Sequence, residues 1–269
     1  PLIESITGRE PLFSLINWIS YQLDFGVYGV NFVCGLIFSA GLIYFCRRTK
    51  RPWVALTVAI PYLITVVAMG YTRQGTAIGL LLFGYSNLAD RKVIQFILWV
   101  IAASLFQLTS VVVLPFAIPY LRSKSLANTI IKFVLAFIGI TGISYIFLSG
   151  RIEILVAGYL KSGMDSDGAY VRVFLNVVPS ILYLIYENRL EINKYTKILW
   201  RWMSYFALLC LIGLFVVPST TSIDRLALFG IPIQLFVAST IPDYRILSLR
   251  PKVLISLVVI FALLVLAVW

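Results

Sequence analysis

The sequence predicts an all-α, polytopic integral membrane protein of about ten spanning helices, on three observations. The 269 residues are 61% hydrophobic and 12% charged, with a mean hydropathy of +0.97, far outside the range of a soluble globular domain. Apolar residues recur in runs of about 16 to 21, the length that carries a helix across ~30 Å of hydrocarbon. Basic residues gather in the short links between alternate runs, as the positive-inside bias requires. Those links account for most of the formal net charge of +11, so the charge is no argument for nucleic acid. A soluble enzyme is excluded, no nucleic-acid partner is expected, and lipids are the obligatory surroundings.

The elements follow in order. Residues 1–25 form an outer-face amphipathic segment, in which "EPLFSLINWISYQL" suits a helix lying in the interface. A first span at about 27–46 ends at "RRTKRP", a basic cluster that belongs on the cytoplasmic side. Pro52 fits the first turn of the next helix. Alternation then places spans at about 52–70, 73–89, 92–107, 109–121, 129–149, 171–186, 203–217, 226–242 and 252–269. Several are short for a bilayer and must tilt or bend, and Pro61, Pro115, Pro179 and Pro232 inside them supply kinks. The longest outer connection, about 150–170, carries the turn-rich "KSGMDSDG". No internal repeat stands out, and one transmembrane domain over 1–269 suffices. The chain opens "PLIESITG" without an initiator Met, so a missing N-terminal part is expected.

Several chemistries lack their residues. Cys34, Cys46 and Cys210 sit in or at the ends of apolar runs and read as small buried hydrophobes. There is no histidine, which removes the commonest acid–base group and most transition-metal sites. No Walker box, dinucleotide fingerprint or HExxH occurs. No metal or other cofactor is expected.

Charge near the outer ends of the spans is what remains. In "VAMGYTRQGTAIG", 67–79, Arg73 and Gln74 fall between two apolar runs, where an arginine must snorkel or find a partner. Gln107 and Thr109 occupy the next outer turn, "SLFQLTS". Arg151, Arg172 and Arg225 lie at the same level, with Asp165, Asp167 and Asp224 as acids in reach. A guanidinium fork suits phosphate oxygens, so this set fits a polar, outward-opening site for a phosphorylated ligand. Each residue also has an ordinary use: snorkelling for Arg73, an ion pair or cap for Arg172 and Arg225, a solvated loop for Asp165 and Asp167, and an interhelical hydrogen bond for Gln107.

Two stretches resemble a known family. "GREPLFSLINWISYQL" at 8–23 resembles the Gly-x-Glu-Pro segment of the EpsG/Wzy family of bacterial exopolysaccharide and O-antigen polymerases. "GYTRQGTAIGLLLFGYSNLADRKVIQFILWVIAASLFQLTSVVVLPFAIPYL" at 70–121 resembles that family's Arg-Gln pair opening a helix, followed some thirty residues later by a polar break. Where the family often has His-x-Ser at that break, this chain has "QLTS", and the Gln107 amide cannot act as a base.

The resemblance implies a membrane-embedded GT-C-like polymerase/ligase architecture in the bacterial cytoplasmic membrane, with the active site facing outward. It implies a glycosyltransferase that takes undecaprenyl-diphosphate-linked oligosaccharides as donor and acceptor, inverts the anomeric centre, and needs neither metal nor nucleotide sugar. It leaves room for chain-length-regulator and flippase partners. Arg73 and Arg172 would hold the diphosphate, with Arg151 and Arg225 beside them. Asp165 or Asp167 would orient or deprotonate the acceptor, and Gln74, Gln107 and Asp224 would line the substrate. The competing readings are a lipid-linked oligosaccharide flippase or other transporter, and an O-antigen-ligase-like transferase. A flippase would need polar groups through the membrane depth, and the ligase lacks its usual histidine here.

Overall fold

The computed structural model describes residues 10–121, 130–132, 134, 168–217, 220–244 and 250–268. Among them the chain is helical throughout, with no strand. It divides into two compact units: Pro1–Leu88 with Lys92–Val111 and Ala238–Trp269, and Ala89–Arg91 with Val112–Val237.

The first unit opens with α1 (Pro11–Gln22), which packs against α2 (Gly26–Arg47). The chain reverses between them through Asp24, at φ 57°, and Gly26, at φ 53°. α3 (Pro52–Ala59) starts with proline at its first turn and runs on as a π-helix over Ile60–Ala68. The change comes at Pro61, which has no N–H to donate, and the Thr65 hydroxyl donates to Ile60 O, five residues back, at 2.8 Å. α4 (Thr72–Ala89) follows, then α5 (Val93–Ser104) after a turn at Arg91 with φ 63°. Near the C-terminus α10 (Pro251–Val268) packs on α3 and its π continuation.

α4 is the buried helix of this unit. From Gln74 to Leu88 only Phe83 is not buried. Small residues make this possible. A Cβ on Gly41 of α2 would land on the Gly79 carbonyl oxygen, and one on Gly79 would lie 2.5 Å from Phe38 Cα, so the two backbones touch at this crossing. A Cβ on Gly75 would meet Ala68 Cα at 2.9 Å. Enclosure by protein is why α4 carries Gln74, Thr76, Ser86 and Asn87 where a lipid-facing helix would not.

A 3-10 run (Leu108–Tyr120) with Pro115 and Pro119 inside it leads into the second unit at Val112 and stands where a span at about 109–121 is expected. α6 (Ala169–Tyr186) ends in the 3-10 turn Glu187–Arg189 and pairs extensively with α7 (Lys194–Val216). α7 begins nine residues before the expected 203–217. The Asn193 side chain caps it by accepting from Thr196 N–H at 2.7 Å, and Arg201 pairs with Glu187 at 2.9 Å. α8 (Thr220–Ala227) runs through a 3-10 turn to a 43° bend, and α9 (Pro232–Thr240) follows. Ala169, Val173, Val177, Cys210, Leu214, Ile223 and Ala227 from α6, α7 and α8 form its apolar core.

Among the described residues three helices are long and apolar enough to cross a membrane, Gly26–Arg47, Ala169–Arg189 and Lys194–Val216, with a fourth if the bent Thr220–Thr240 pair is one span. Shorter apolar helices cover Pro52–Ala68, Val93–Ser104, Leu108–Tyr120 and Pro251–Ala267. Large apolar side chains face outward along them, such as Phe32 and Leu36 on α2, Leu209 and Phe215 on α7, and Leu263 and Leu264 on α10. Water would penalise such faces, whereas lipid accepts them, so this is a membrane protein. Cys34, Cys46 and Cys210 are free and buried. The expected span at about 129–149 and the loop at about 150–170 lie almost wholly outside the described residues.

Candidate functional site

The first polar cluster forms where three segments of the first unit meet. Pro11 opens α1 and biases the preceding residue away from helical backbone, and Glu10 takes φ −135° and ψ 74°. The Glu10 carboxylate therefore does not cap its own helix. It accepts instead from Arg73 Nη1, at 2.5 Å. Arg73 also lies over the Phe13 ring, one turn into α1, with its guanidinium carbon 5.5 Å from the centroid.

Arg73 sits in the first turn of α4, where the helix dipole disfavours a cation. Helix stability is thus no reason for an arginine there, and Glu10 supplies the compensating charge. The Arg73 side chain is 55% exposed and that of Glu10 14%, so the acid is the fixed member and the guanidinium the open one. Thr72 Oγ1 donates to Asn31 Oδ1 at 3.3 Å beside it, and Gln74 is buried on the next position.

The third segment is the break after α5. Leu12 N–H, one of the donors that a helix start leaves over, donates to Leu105 O at 3.1 Å. That bond ties the Glu10–Phe13 end of α1 to the turn carrying Gln107 and Thr109. Gln107 Nε2 donates to Thr109 Oγ1 at 3.2 Å, and Ser110 N–H to Gln107 O at 3.0 Å. Ser110 is fully buried, and among the described residues its hydroxyl has no hydrogen-bond partner.

A second polar cluster belongs to the second unit. Arg172, in the first turn of α6, donates from Nε to Asp224 Oδ1 of α8 at 2.8 Å. Both side chains are nearly buried, at 11% and 9% exposure, and Arg225 beside them is exposed. One turn along α6, Asn176 Nδ2 donates to Ala227 O at 2.7 Å, and Gln234 Nε2 donates to Asn176 Oδ1 at 2.7 Å. A further turn on, the buried Ser180 hydroxyl bonds back to Asn176 O. A ladder of polar groups thus follows one face of α6 into its apolar core.

A model of the EpsG family matches residues 2–269. The chain belongs to the EpsG family. No curated protein and no solved structure matches it.

Within this EpsG family member the two stretches that carry the resemblance meet, through Glu10 and Arg73 and through Leu12 and Leu105. Of the residues expected at a site, Arg73, Gln74 and Gln107 fall in the first unit, and Arg172, Asp224 and Arg225 in the second. Arg151, Asp165 and Asp167 lie outside the described residues. Glu10, one of the acids the sequence places on the outer side, is the one that meets Arg73, and Phe13, Asn31, Thr72 and Ser110 join the cluster with no signal of their own in the sequence. The Glu-Pro step was the available signal for Glu10, since a proline behind it turns the carboxylate off the helix. Among the described residues no group of three or more His, Cys, Asp or Glu could hold a metal ion.

Proposed function

We propose that this chain is a polysaccharide polymerase that joins undecaprenyl-diphosphate-linked repeat units at the outer face of the bacterial cytoplasmic membrane. Membership of the EpsG family over nearly the whole chain is the observation that carries the proposal. In this reading the acceptor hydroxyl attacks the anomeric carbon of the donor glycan. The bond from that carbon to the diphosphate oxygen breaks, the configuration inverts, and undecaprenyl diphosphate leaves. Charge develops on the leaving diphosphate, so a preorganised cation there lowers the barrier.

Arg73 is the residue we assign to that charge. It is open on one side, held by Glu10 and Phe13 on the other, and backed by the first turn of α4, whose N–H groups also favour an anion. Arg172 is the second cationic residue of the proposal, with Asp224 fixing its Nε and Arg225 adding positive charge beside it. Gln74 and Gln107 supply amide contacts to sugar or phosphate oxygens. The acceptor proton goes to Asp165 or Asp167, because the Gln107 amide has no basicity to offer. Arg151 is a further phosphate contact. We take the shorter apolar helices as tilted or bent crossings; with the long helices, the bent Thr220–Thr240 pair, α4 and the expected span at about 129–149 they make ten in a GT-C-like arrangement. A chain-length regulator and a flippase are the protein partners such a polymerase would work beside.

The test is an assay of purified protein with one synthetic undecaprenyl-diphosphate repeat unit, read on a gel. A ladder that disappears with Arg73→Ala is expected. Absence of a ladder from the wild type given its native repeat unit, together with flipping of the same lipid in vesicles, would replace the polymerase by a transporter.

A further inference from the structure

A groove of about 500 Å³ runs between α2 and the α3–π helix of the first unit. Its walls are apolar, with Leu42 on one side and Leu56 and Ile64 on the other, and its floor opens at Gly35. Its polar residues include Asn31 and Thr72 at one end, bonded to each other at 3.3 Å, and Thr72 immediately precedes Arg73. From the geometry and the charge at that end we propose that the groove seats the polyprenyl chain of a lipid diphosphate, with the diphosphate at Arg73. The inference rests on the polymerase reading above and adds to it the place where the lipid lies.

Three features of the groove select its occupant. It is long: the α2 wall from Asn31 to Ile43 rises about 18 Å, more than half of a ~30 Å hydrocarbon core. A sugar would find few partners along such walls, whereas a hydrocarbon chain needs none. It lies in a part of the protein built for lipid, between a helix able to span the bilayer and a shorter apolar helix. And it is polarised, mostly apolar along its length and ending at the Asn31–Thr72 pair, next in the chain to the exposed Arg73, so an amphiphile with an anionic head can lie with its chain in the groove and its head toward that arginine.

α2 is held against α4 by the Gly41–Gly79 contact, and the helix across the groove is π-helical over Ile60–Ala68. Gly35 faces empty space, and a Cβ there would meet nothing within 4 Å. Leucine at 35 would therefore fill the groove without striking the backbone, and it forms helix better than glycine.

The experiment uses the full chain in phosphatidylcholine nanodiscs and a diazirine-bearing geranylgeranyl diphosphate, with photolabelled peptides mapped by mass spectrometry. Labelling of the Gly35–Ile43 and Leu56–Ile64 stretches is expected, displaced by undecaprenyl diphosphate and not by phosphatidylglycerol. Gly35→Leu, or Ser39→Leu should the first variant fail to fold, should cut this labelling at least tenfold and shorten the polymer ladder in parallel. Labels spread elsewhere while the wild type still makes a ladder would overturn the groove and leave the polymerase standing. Equal displacement by phosphatidylglycerol would also overturn it, marking an ordinary lipid contact. Groove labelling displaced only by undecaprenyl diphosphate, with no ladder from the native repeat unit, would support the groove and remove the polymerase.

Discussion

Glu10 Oε2 and Arg73 Nη1 lie 2.5 Å apart although 63 positions separate them in the chain. The contact joins the start of α1 to the start of α4, and the acid is the more buried partner. An exposed guanidinium in such a pair contributes little to folding, about 1 kcal/mol or less. What the pair does instead is aim the cation and hold it over Phe13.

That separates function from stability. Arg73→Ala should leave the thermal unfolding of the detergent-solubilised protein within about 1 kcal/mol of wild type, while polymer formation falls by about 10²- to 10³-fold. Arg73→Lys should recover part of the activity, since it keeps the charge and loses the planar fork. A variant that melts early and loses polymer in proportion would mean the arginine only braces the fold. The readouts are ladder length and fluorescence-detected melting on the same preparations.

Glu10→Gln tests the other member. The amide still accepts a hydrogen bond but carries no charge, so Arg73 keeps a weaker tether and loses its ion pair. Folding should be unchanged, and polymerisation should fall by less than with Arg73→Ala, through a higher requirement for the lipid-linked substrate. A loss equal to that of Arg73→Ala would point to a direct role for the carboxylate in the transfer itself.

Arg172 and Asp224 call for a different experiment, because both are nearly buried. Removing one partner strands the other charge, and Arg172→Ala should cost about 3–5 kcal/mol and much of the folded protein. Loss of polymer in that variant alone would say nothing of chemistry. The double variant Arg172→Met with Asp224→Leu removes both charges and should fold again. Folded double variant without polymer is the outcome the proposed phosphate contact requires, measured by size-exclusion profile and ladder together. Normal polymer from it would leave the pair as a tie between α6 and α8.

The sequence disclosed the apolar elements well where they were long and bounded. α2 and α6 fall almost where the runs ended, and α3 starts at the proline that opens it. α7 starts nine residues ahead of the apolar run because Lys194, Lys197 and Arg201 lower the hydropathy there, although Asn193 is a legible cap. The candidate site was half legible. Arg73 stands out in an apolar stretch and needs a partner, but which acid serves depends on how α1 folds back, and no local spacing reports a contact across 63 residues. The Asn176–Gln234 bond was hidden for the same reason, as neither amide looks unusual in its own helix.

The α2–α4 crossing predicts a purely structural lesion. Gly41→Val would drive a branched side chain into the Gly79 carbonyl, in a place where neither backbone can yield. Overpacking of this kind costs about 1–3 kcal/mol or more, and it would move α4 and therefore Arg73. Yield of monodisperse protein should drop sharply. Gly35→Ala, on the same helix but facing open space, should leave the yield unchanged. Equal losses in the two variants would refute the close crossing.

The ladder on α6 offers the last and most internal test. Asn176 donates to Ala227 O and accepts from Gln234, all at buried positions, so its amide satisfies two groups that have left water. Asn176→Leu strands both, at about 1–3 kcal/mol for each orphaned group. Gln234→Leu strands only the Asn176 oxygen and should cost less. In the double variant the Gln234 donor no longer needs a partner, so its cost should fall short of the sum by about 0.5–3 kcal/mol. Thermal melting of the three variants measures that coupling directly. Additive costs would mean that the two side chains do not share a bond, and Gln234 would then lie outside the polar ladder.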